Sequence, residues 1–304
     1  MKHIFVVNPA AGKVDREEEI KESLKAFDGR IDYEIYVTKK KGDGREFVKN
    51  YLMSHPIDEV YRFYAVGGDG SLHDVVNGAF GFNNAEVAVY ASGSGNDFIK
   101  NFGAKESFRN LEALIYGEAK KIDLIEVDDK ICVNIVSFGF DGEVTFGMQR
   151  FKRWPLVSGK MAYSLAAVTS LLFKMNQSFS LKCDNELIFD GKGLLVAVAN
   201  GHTYGGGFKC APEARVDDGI MDICLAKKIS RLKASGLMSL YKKGEHLKNP
   251  KFKDVIVYKR AKSVEIASPK PVAYQIDGET YRKNGLKIKI IPLAISFVIP
   301  KTLA

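Results

Sequence analysis

The sequence predicts two domains of different class: an α/β domain, which is a parallel sheet with helices on both faces, followed by a C-terminal β-sandwich domain. The chain has 304 residues, which is more than one hydrophobic core usually serves. In the first part, apolar strand patterns alternate with helical patterns, which indicates a parallel sheet. After about residue 122, short strands separated by turn signals dominate, which is typical of an antiparallel sandwich.

The first domain is assigned to residues 1–122, and residues 292–304 are expected to return to it. A helix is predicted over Asp15–Phe27, because its apolar residues Ile20 and Leu24 recur at helical spacing. The other predicted elements are the strands Ile4–Asn8, Tyr33–Thr38, Glu59–Val66 and Glu86–Ala91 and the helices Arg45–Ser54 and Leu72–Phe80. In such sheets, ligands bind at the carboxyl ends of the strands.

The second domain, 123–291, is predicted to consist of strands interrupted by two helices, Gly159–Lys174 and Arg231–Tyr241. The predicted strands at and beyond the boundary are Ile122–Val127, Lys130–Phe138, Ser178–Cys183, Leu194–Asn200, Gly219–Ala226, Ser263–Ser268, Leu286–Ile291 and Ala294–Ile299. Neither an internal repeat nor a flexible linker marks the boundary, so the two domains are expected to follow one another directly.

The composition is that of a folded protein, with 46% hydrophobic and 27% charged residues. The longest apolar window after the N-terminus, Met161–Phe173, is too short and too polar to span a bilayer, so a cytoplasmic location is expected. Four scattered cysteines without a CxxC pair favour free thiols. The net charge of +8 suits nucleic acid, nucleotide phosphates or an anionic membrane, and does not choose between them.

Three glycine loops follow successive strands of the first domain: NPAAGK at 8–13, GGDGS at 67–71 and SGSGND at 92–97. Glycine permits close approach of the backbone, and N–H groups at the start of a helix form an anion site. A single loop of this kind is as often a plain turn. Three loops at successive strand ends favour a phosphate site, although neither a Walker A loop nor a GxGxxG fingerprint is present.

Kinase chemistry accounts for the side chains in these loops. Phosphoryl transfer requires positioned phosphates, carboxylates that hold Mg²⁺ and a lysine that offsets charge. The glycine backbone would position the phosphates, Asp69 and Asp97 are the carboxylates, and Lys13 is the lysine.

At these residues the chain resembles the diacylglycerol kinase catalytic-domain family, which includes bacterial lipid kinases and the sphingosine and ceramide kinases. The resemblance rests on an ordered series of motifs: NPAAGK, GGDGS, GSGNDF, NIVSFGFDGEV (134–144), GKMAY (159–163), PEARVDDG (212–219) and QIDGE (275–279). Ser71 and Ser94 stand where the family usually has Thr, and Ala91 where it often has Pro. These departures remove no chemical group.

The resemblance implies an ATP-binding first domain, a lipid-binding sandwich and an active site in the cleft between them. It also implies transfer of the γ-phosphate of ATP to a lipid hydroxyl, with diacylglycerol as the expected acceptor, as a step of phospholipid biosynthesis. Asp69 would organise Mg²⁺, together with Asp97 and Lys13. The implied nucleotide contacts are Asn8, Gly12, Thr38, Gly67, Gly68, Asp69, Gly70, Ser71 and Ser94.

Asp277 and Glu279 are the candidates for the general base that takes the proton of the lipid hydroxyl. In an extended segment, side chains two residues apart lie on one face, so that one carboxylate could orient the other. Taken from the residues alone, Asp-Gly favours a solvated turn. With the resemblance, catalysis is favoured, and Glu279 is slightly preferred as the proton acceptor.

A second, structural Mg²⁺ is implied at the PEARVDDG motif, with the Asp218 carboxylate and the backbone carbonyls of Arg215 and Ile220 as ligands. Asp123 and Asp141 either support the cleft or are ordinary polar residues at strand ends. The stretch Arg150–Trp154 mixes cations with aromatic residues, which suits a membrane-docking patch or a solvated loop equally.

Several alternatives remain open. The acceptor could be another lipid alcohol, such as a sphingoid base or phosphatidylglycerol, or the enzyme could be an NAD kinase, which shares the GGDG motif. A non-catalytic nucleotide or nucleic-acid binder would leave the carboxylates unexplained. The expected partners are ATP, a membrane lipid and transiently the membrane surface, without nucleic acid; a homodimer is suggested by family analogy alone.

Overall fold

The computed structural model describes residues 1–11, 15–151, 154, 161, 165–166, 168–170 and 175–302. The predictions for Gly12, Lys13, Lys152, Arg153 and most of Gly159–Lys174 therefore lie outside the described residues. The chain divides into two compact units, the first comprising Met1–Leu124 with Pro292–Ala304 and the second Ile125–Ile291.

The first unit is built on a parallel sheet in the order β2-β1-β3-β4. Its elements are β1 (Lys2–Val7), α1 (Arg16–Leu24), β2 (Asp32–Val37), α2 (Asp43–Ser54), β3 (Tyr61–Gly67), α3 (Asp69–Ala79), β4 (Ala85–Ala91), α4 (Leu111–Ile115) and the first part of β5 (Glu118–Val127). Every residue of β3 is buried. Burial on both faces explains why β1, β3 and β4 read as largely continuous apolar runs rather than alternating ones.

The final strand, β13 (Glu279–Ile299), begins in the second unit and ends in the first. Its residues Ser296 and Phe297 pair in parallel with Glu86 and Val87 of β4, which adds a fifth strand to the sheet. The Phe297 side chain is fully buried and packs edge-on against Phe98, with ring centroids 5.3 Å apart. The C-terminal segment is thus part of the core of the first unit.

The second unit is an antiparallel assembly in the order β11-β10-β9-β7-β12-β13, with β8 paired to β9 and β12 and with β6 paired to β5. Its elements are β6 (Lys130–Cys132), β7 (Ile135–Gly139), α5 (Phe140–Phe151), β8 (Gln177–Cys183), β9 (Glu186–Ala199), β10 (Met221–Lys227), α6 (Arg231–Lys243), β11 (Ile256–Ala261), β12 (Ser263–Ile276) and most of β13.

Successive residues of the central strands of this unit enter two different cores, because side chains alternate across a sheet. Val196 and Val198 of β9 pack in a core that includes Phe179 of β8 and Ile266 of β12. Their neighbour Ala197 faces a second core that contains residues of α5 and α6. Both faces of the central strands are therefore buried.

Several predicted elements differ from the structure. The single strand predicted over Lys130–Phe138 is broken into β6 and β7, because the backbone at Val133 and Asn134 donates hydrogen bonds to a side chain instead of to a strand. Helix α5 and strand β11 were not predicted. The GGDGS segment is not a loop beyond Gly68, since Asp69 already begins α3.

In the part of the chain that the structure describes, none of the helices combines the length and the apolar character that crossing a lipid bilayer requires.

Candidate functional site

The carboxyl ends of four parallel strands come together in the first unit. Asn8, which follows β1, donates from its side-chain amide to Ser71 Oγ at 3.3 Å, and its main-chain N–H bonds the carbonyl of Val66 in β3. Thr38, which follows β2, bonds the carbonyl of Val7 through both its N–H and its hydroxyl. The predicted nucleotide contacts from the first three strands are thus neighbours.

The end of β4 joins the same cluster through the carbonyl of Gly67. That carbonyl accepts hydrogen bonds from the N–H groups of Ser92 and Gly93, at 3.1 and 3.0 Å, and from the Asn96 side-chain amide at 3.0 Å. A Cβ on Gly93 would overlap the backbone of Gly68. Only glycine permits this approach of two main chains, which is the arrangement expected of a backbone anion site.

Two carboxylates face one point beside Gly95. The Asp69 Oδ1 atom accepts the N–H of Asp97 at 2.7 Å, which fixes the side chain at the N-terminus of α3. A Cβ added to Gly95 would lie 2.8 Å from Asp69 Oδ2 and 3.8 Å from Asp97 Oδ2. The space that a side chain would occupy at Gly95 is therefore bordered by oxygen atoms of both carboxylates.

This donor set fits Mg²⁺. Mg²⁺ in kinases takes one or two protein carboxylates, keeps several waters and binds substrate phosphates. Within the described residues, no group of three or more His, Cys, Asp and Glu side chains forms a closed metal cage. Asp69 and Asp97 supply the two carboxylates that a substrate-bound magnesium ion needs, although Asp97 Oδ1 also pairs with Lys100 Nζ at 2.6 Å. Lys13, which was expected in the same network, lies outside the described residues.

Sequence reasoning missed two cations that hold the third glycine loop. Lys105 Nζ donates to the carbonyl of Gly93, and Arg109 Nε donates to the carbonyl of Ala91 at 2.9 Å. Burial, together with the positive charge of Arg109, lowers the pKa of Lys105 below its ordinary value. Both residues follow the loop by about ten positions and belong to no recognisable motif. Their contacts with the loop carbonyls are therefore visible only in the folded chain.

Asn96 was noted in its motif but was not given a role. It adopts a left-handed backbone conformation with φ of 51°, and its side chain is almost completely buried. Because its amide reaches the end of β3, it fastens the third loop to the second. Ser94, a predicted nucleotide contact in the same loop, is exposed.

In the second unit, the candidate bases lie at a tight hairpin rather than in an extended segment, so that part of the prediction is wrong. Asp277 and Gly278 have φ of 48° and 92° and join Ile276 of β12 directly to Glu279 of β13. This is the two-residue hairpin that Asp-Gly favours. The two carboxylates consequently do not share a strand face.

The Asp277 carboxylate is bound to the main chain of the break between β6 and β7. It accepts the N–H groups of Val133, Asn134 and Ile135 at 2.8 to 3.2 Å, as well as the thiol of Cys132. Burial and the neighbouring Asp277 raise the pKa of Cys132 well above its ordinary value, so the thiol stays protonated. Bonds from three amides give Asp277 the geometry of an anchoring carboxylate.

Glu279 is half-buried at the start of β13. Its turn is braced from two sides: Gln275 Oε1 accepts the N–H of Gly278 at 2.6 Å, and Gln149 of α5 accepts the hydroxyl of Thr280 at 3.0 Å. The first turns of α5 lie against β12, since a Cβ on Gly142 would overlap the carbonyl of Ala273. Helix α5, which was not predicted, therefore positions the hairpin.

The predicted structural metal ligands occupy the turn before β10. Asp218 Oδ1 accepts the N–H of Ile220 at 3.2 Å, and Oδ2 is paired with the Arg260 guanidinium. Asp222 is buried, and its Oδ2 has no hydrogen-bond partner among the described residues. Burial raises the pKa of Asp222 above its ordinary value, and the charges of Asp218 and Glu213 add to this. A carboxylate oxygen without a partner fits a nearby positive charge. Arg260 supplies one such charge, since its Nε lies 3.7 Å from Asp222 Oδ1.

Of the two other aspartates singled out in the sequence, Asp123 is buried and Asp141 is half-buried. Asp123 accepts the N–H of Leu293 at 2.8 Å, within the first unit. Asp141, in the first turn of α5, accepts the hydroxyls of Ser137 and Tyr204, and burial raises its pKa. The contacts of Asp123 with Leu293 and of Asp141 with Tyr204 join segments that are distant in sequence, which is a structural role.

Two family models match the chain, one for each region described above. Residues 2–127 match the diacylglycerol kinase catalytic domain, and residues 134–299 match the YegS C-terminal NAD kinase beta sandwich-like domain. The fold class predicted from the sequence, an α/β domain followed by a β-sandwich domain, is confirmed.

Curated relatives match over most of their length. The chain is 27% identical to a diacylglycerol kinase of Staphylococcus carnosus, over 90% of this chain and 87% of the relative. It is 31% identical to a protein of Shewanella frigidimarina named "Probable lipid kinase YegS-like", over 80% and 78%. Among solved structures, a diacylglycerol kinase from Bacillus anthracis superposes with a TM-score of 0.71 and 18% identity, covering 98% of this chain and 96% of the other, and shows the fold.

Proposed function

The chain belongs to the diacylglycerol kinase catalytic-domain family and is an ATP-dependent lipid kinase, and from this premise we propose that its acceptor is the free hydroxyl of diacylglycerol. The product would be phosphatidic acid. The relatives named for this substrate support the proposal, and they cover most of this chain.

The observation that carries the proposal is that the strand ends meet at the Gly67 carbonyl, beside the space at Gly95 that two carboxylates border. The first amides of a helix have no acceptor within it, so the start of α3 presents N–H groups to an anion. The carboxylates of Asp69 and Asp97 border the same space. Main-chain amides can bind phosphate, and the neighbouring carboxylates can bind a cation, so the site suits a nucleoside triphosphate together with its metal. The proposed contacts of this nucleotide are Asn8, Thr38, Gly67, Gly68, Gly70, Ser71 and Ser94.

In the proposed reaction, Glu279 is the general base. The lipid oxygen forms a bond to the γ-phosphorus, the bond from that phosphorus to the β–γ bridging oxygen breaks, and ADP leaves. The hydroxyl proton passes to the Glu279 carboxylate. Asp277 is a positioning residue, because its oxygens accept main-chain amides while its backbone fixes the turn that ends at Glu279.

Magnesium is proposed at two places. Asp69 and Asp97 would hold the catalytic ion, which would neutralise phosphate charge, while Lys13 and Gly12 of the first loop are proposed to contact the phosphates. The carbonyls of Arg215 and Ile220 and the Asp218 carboxylate would hold the structural ion. At this second place the ion would compete with the Arg260 guanidinium for the Asp218 carboxylate.

Membrane contact is proposed through the Arg150–Trp154 stretch and the residues just after it. Trp154 is 52% exposed and meets Phe151 edge-on, with ring centroids 5.2 Å apart. Met161 and Val168 are also more than half exposed. Large apolar side chains that remain in water suit contact with acyl chains.

Homodimer formation stays a prediction, which sedimentation velocity tests.

The test is phosphate transfer from labelled ATP to diacylglycerol, a sphingoid base, phosphatidylglycerol and NAD, compared between the wild type and Glu279→Gln. We expect label in phosphatidic acid and a loss of kcat of roughly 100-fold or more in the variant, because the proton acceptor is removed. Glu265→Gln, an exposed change on β12, is the matched control and should leave kcat within about twofold.

Label in another lipid or in NADP instead of phosphatidic acid would refute the substrate. An unchanged kcat in Glu279→Gln, with diacylglycerol still phosphorylated, would refute the role of Glu279 alone.

A further inference from the structure

The positive charge of the chain belongs to one unit. Met1–Leu124 with Pro292–Ala304 contains 18 Lys and Arg against 20 Asp and Glu, a net charge of −2. Ile125–Ile291 contains 27 against 17, a net charge of +10. The unit with the nucleotide-site residues is therefore slightly acidic, and the basic excess lies in the other unit.

Most of that excess lies in one stretch, Lys227–Asp254, which we call the basic segment. It contains eight lysines and one arginine against Glu245 and Asp254, a net charge of +7 in 28 residues. The segment leaves the end of β10, forms α6 and a short 3-10 turn at Pro250–Phe252, and returns to β11.

Internal ion pairing does not account for these charges. None of the eight lysines forms an ion pair with a carboxylate of the described residues. Lys242 and Lys243 in the last turn of α6 have a local reason, since cations stabilise the C-terminal end of a helix. Lys233 in the first turn has the opposite effect, and no acidic residue accompanies it there. Helix stability therefore accounts for Lys242 and Lys243 but not for Lys233.

The outward side of α6 has the shape and chemistry of a docking face. Ala234, Leu237 and Tyr241 are buried and fasten the helix to its unit. On the opposite side lies Leu232, which is 88% exposed. The remaining outward positions are small, at Ser235, Gly236 and Ser239, and lysines flank them. A flat face with one protruding apolar side chain and a rim of cations matches the headgroup region of a bilayer.

We propose that the basic segment docks the enzyme on an anionic phospholipid bilayer, with Leu232 entering the interface and the lysines contacting lipid phosphates. The inference rests on the proposed lipid-kinase function, because a diacylglycerol acceptor resides in a membrane. Nucleic acid is disfavoured as the occupant. Single-strand binders present stacking aromatic side chains, whereas both aromatic residues of the segment, Tyr241 and Phe252, are buried.

The experiment compares the wild type with a variant in which Lys228, Lys233, Lys243 and Lys248 are changed to Gln; all four are exposed. The matched control carries the same change at four exposed lysines of the same unit outside the segment, Lys182, Lys262, Lys270 and Lys287. Binding is measured by co-sedimentation with vesicles of phosphatidylcholine containing about 30% phosphatidylserine, at about 0.1 M salt. We expect a loss of roughly tenfold or more in the segment variant and less than about threefold in the control. Leu232→Ala should weaken binding by roughly threefold to tenfold.

Activity on two forms of diacylglycerol separates this inference from the proposed function. On diacylglycerol in the anionic vesicles, the segment variant should lose activity in parallel with binding. On a short-chain diacylglycerol dissolved below its micelle concentration, it should equal the wild type. If the wild type phosphorylates neither form, the proposed function fails. If it phosphorylates both, and the segment variant binds vesicles as the wild type or the control does, the docking inference fails. The same variants are also tested for binding to a single-stranded RNA, and a segment variant that loses RNA binding while it still binds vesicles would likewise overturn the docking inference.

Discussion

In the first unit Asp69 begins a helix, whereas in the second unit Asp277 begins a hairpin turn, and both carboxylates accept main-chain N–H groups. Asp69 Oδ1 takes the amide of Asp97, and its Oδ2 borders the space beside Gly95. Asp277 engages three consecutive amides with its two oxygens. Asp69 therefore borders a candidate ligand site with an oxygen that is not the one bound to the Asp97 amide, whereas both oxygens of Asp277 accept main-chain amides at a strand break.

The second unit repeats the anchoring arrangement where no chemistry is proposed. Asp184 also has φ of 48°, begins a two-residue hairpin and accepts the N–H groups of Lys262 and Ser263. The two aspartates differ in that the hairpin of Asp277 leads to the candidate base Glu279. This pair offers a way to separate stability from catalysis.

The largest expected effect is at Asp69. Asp69→Asn keeps the size of the side chain and removes its charge, so the proposed binding of magnesium and phosphate is lost, and kcat/KM should fall by about 10³-fold. The measurement is phosphate transfer to diacylglycerol at saturating Mg²⁺, with circular dichroism to show that the fold is retained. Asp74→Asn, further along the same helix, is the control and should stay within about threefold.

Asp277→Asn sharpens the comparison within the second unit. The amide side chain keeps a single acceptor and faces main-chain N–H groups with its NH₂, so the free energy of unfolding should fall by about 2 kcal/mol. Because the turn that carries Glu279 is disturbed, kcat should fall by roughly 100-fold. Asp184→Asn should cost similar stability without changing kcat. If the two variants have equal kcat, Asp277 is an anchor only.

Acid should destabilise both units through one buried histidine each. Burial lowers the pKa of His3, with Arg62 adding to the effect, and burial lowers that of His246, each to about 4. Between an unfolded pKa near 6.5 and a folded pKa near 4, the unfolded state binds more protons, so stability falls as pH falls through this window. Each histidine should account for roughly 2 kcal/mol.

The measurement is urea unfolding from pH 7 to pH 4. The only tryptophan, Trp154, reports on the second unit, and circular dichroism reports on both. In His246→Asn, the free energy of unfolding followed by fluorescence should depend less on pH. In His3→Asn, the fluorescence profile should be unchanged, and only the unfolding of the first unit, followed by circular dichroism, should depend less on pH. A fluorescence profile that keeps its slope in His246→Asn would contradict the assignment.

The smallest expected effect concerns the structural cation. In the wild type Arg260 pairs with Asp218, so a bound Mg²⁺ must displace the guanidinium and should raise the melting temperature less than it does once the guanidinium is removed. Arg260→Gln removes the competing guanidinium, and saturating Mg²⁺ should then stabilise the variant by about 1 kcal/mol, or roughly 3 °C. Adding Asp218→Asn should abolish this gain. An equal gain in the wild type would show that the guanidinium does not block the site.

The fold class could be predicted from the sequence because helical spacing and strand patterns of apolar residues both reflect which side chains are buried. It could not predict α5, because the segment that begins at Phe140 sits inside a motif that resembles a strand end, and its packing partner, β12, lies more than a hundred residues away. Likewise, the role of Lys105 and Arg109 could not be predicted, because it depends on hydrogen bonds to the carbonyls of Gly93 and Ala91.

By itself, the sequence determined that glycine-rich turns end the parallel strands and that Asp-Gly turns the chain before Glu279, since both follow from local backbone preference. Only the tertiary structure decided that Gly93 meets Gly68 and that Asp277 closes the break at Val133, because these contacts join segments far apart in the chain. It also decided that the lysines of the basic segment remain without carboxylate partners among the described residues, since pairing depends on where other strands bring their acids.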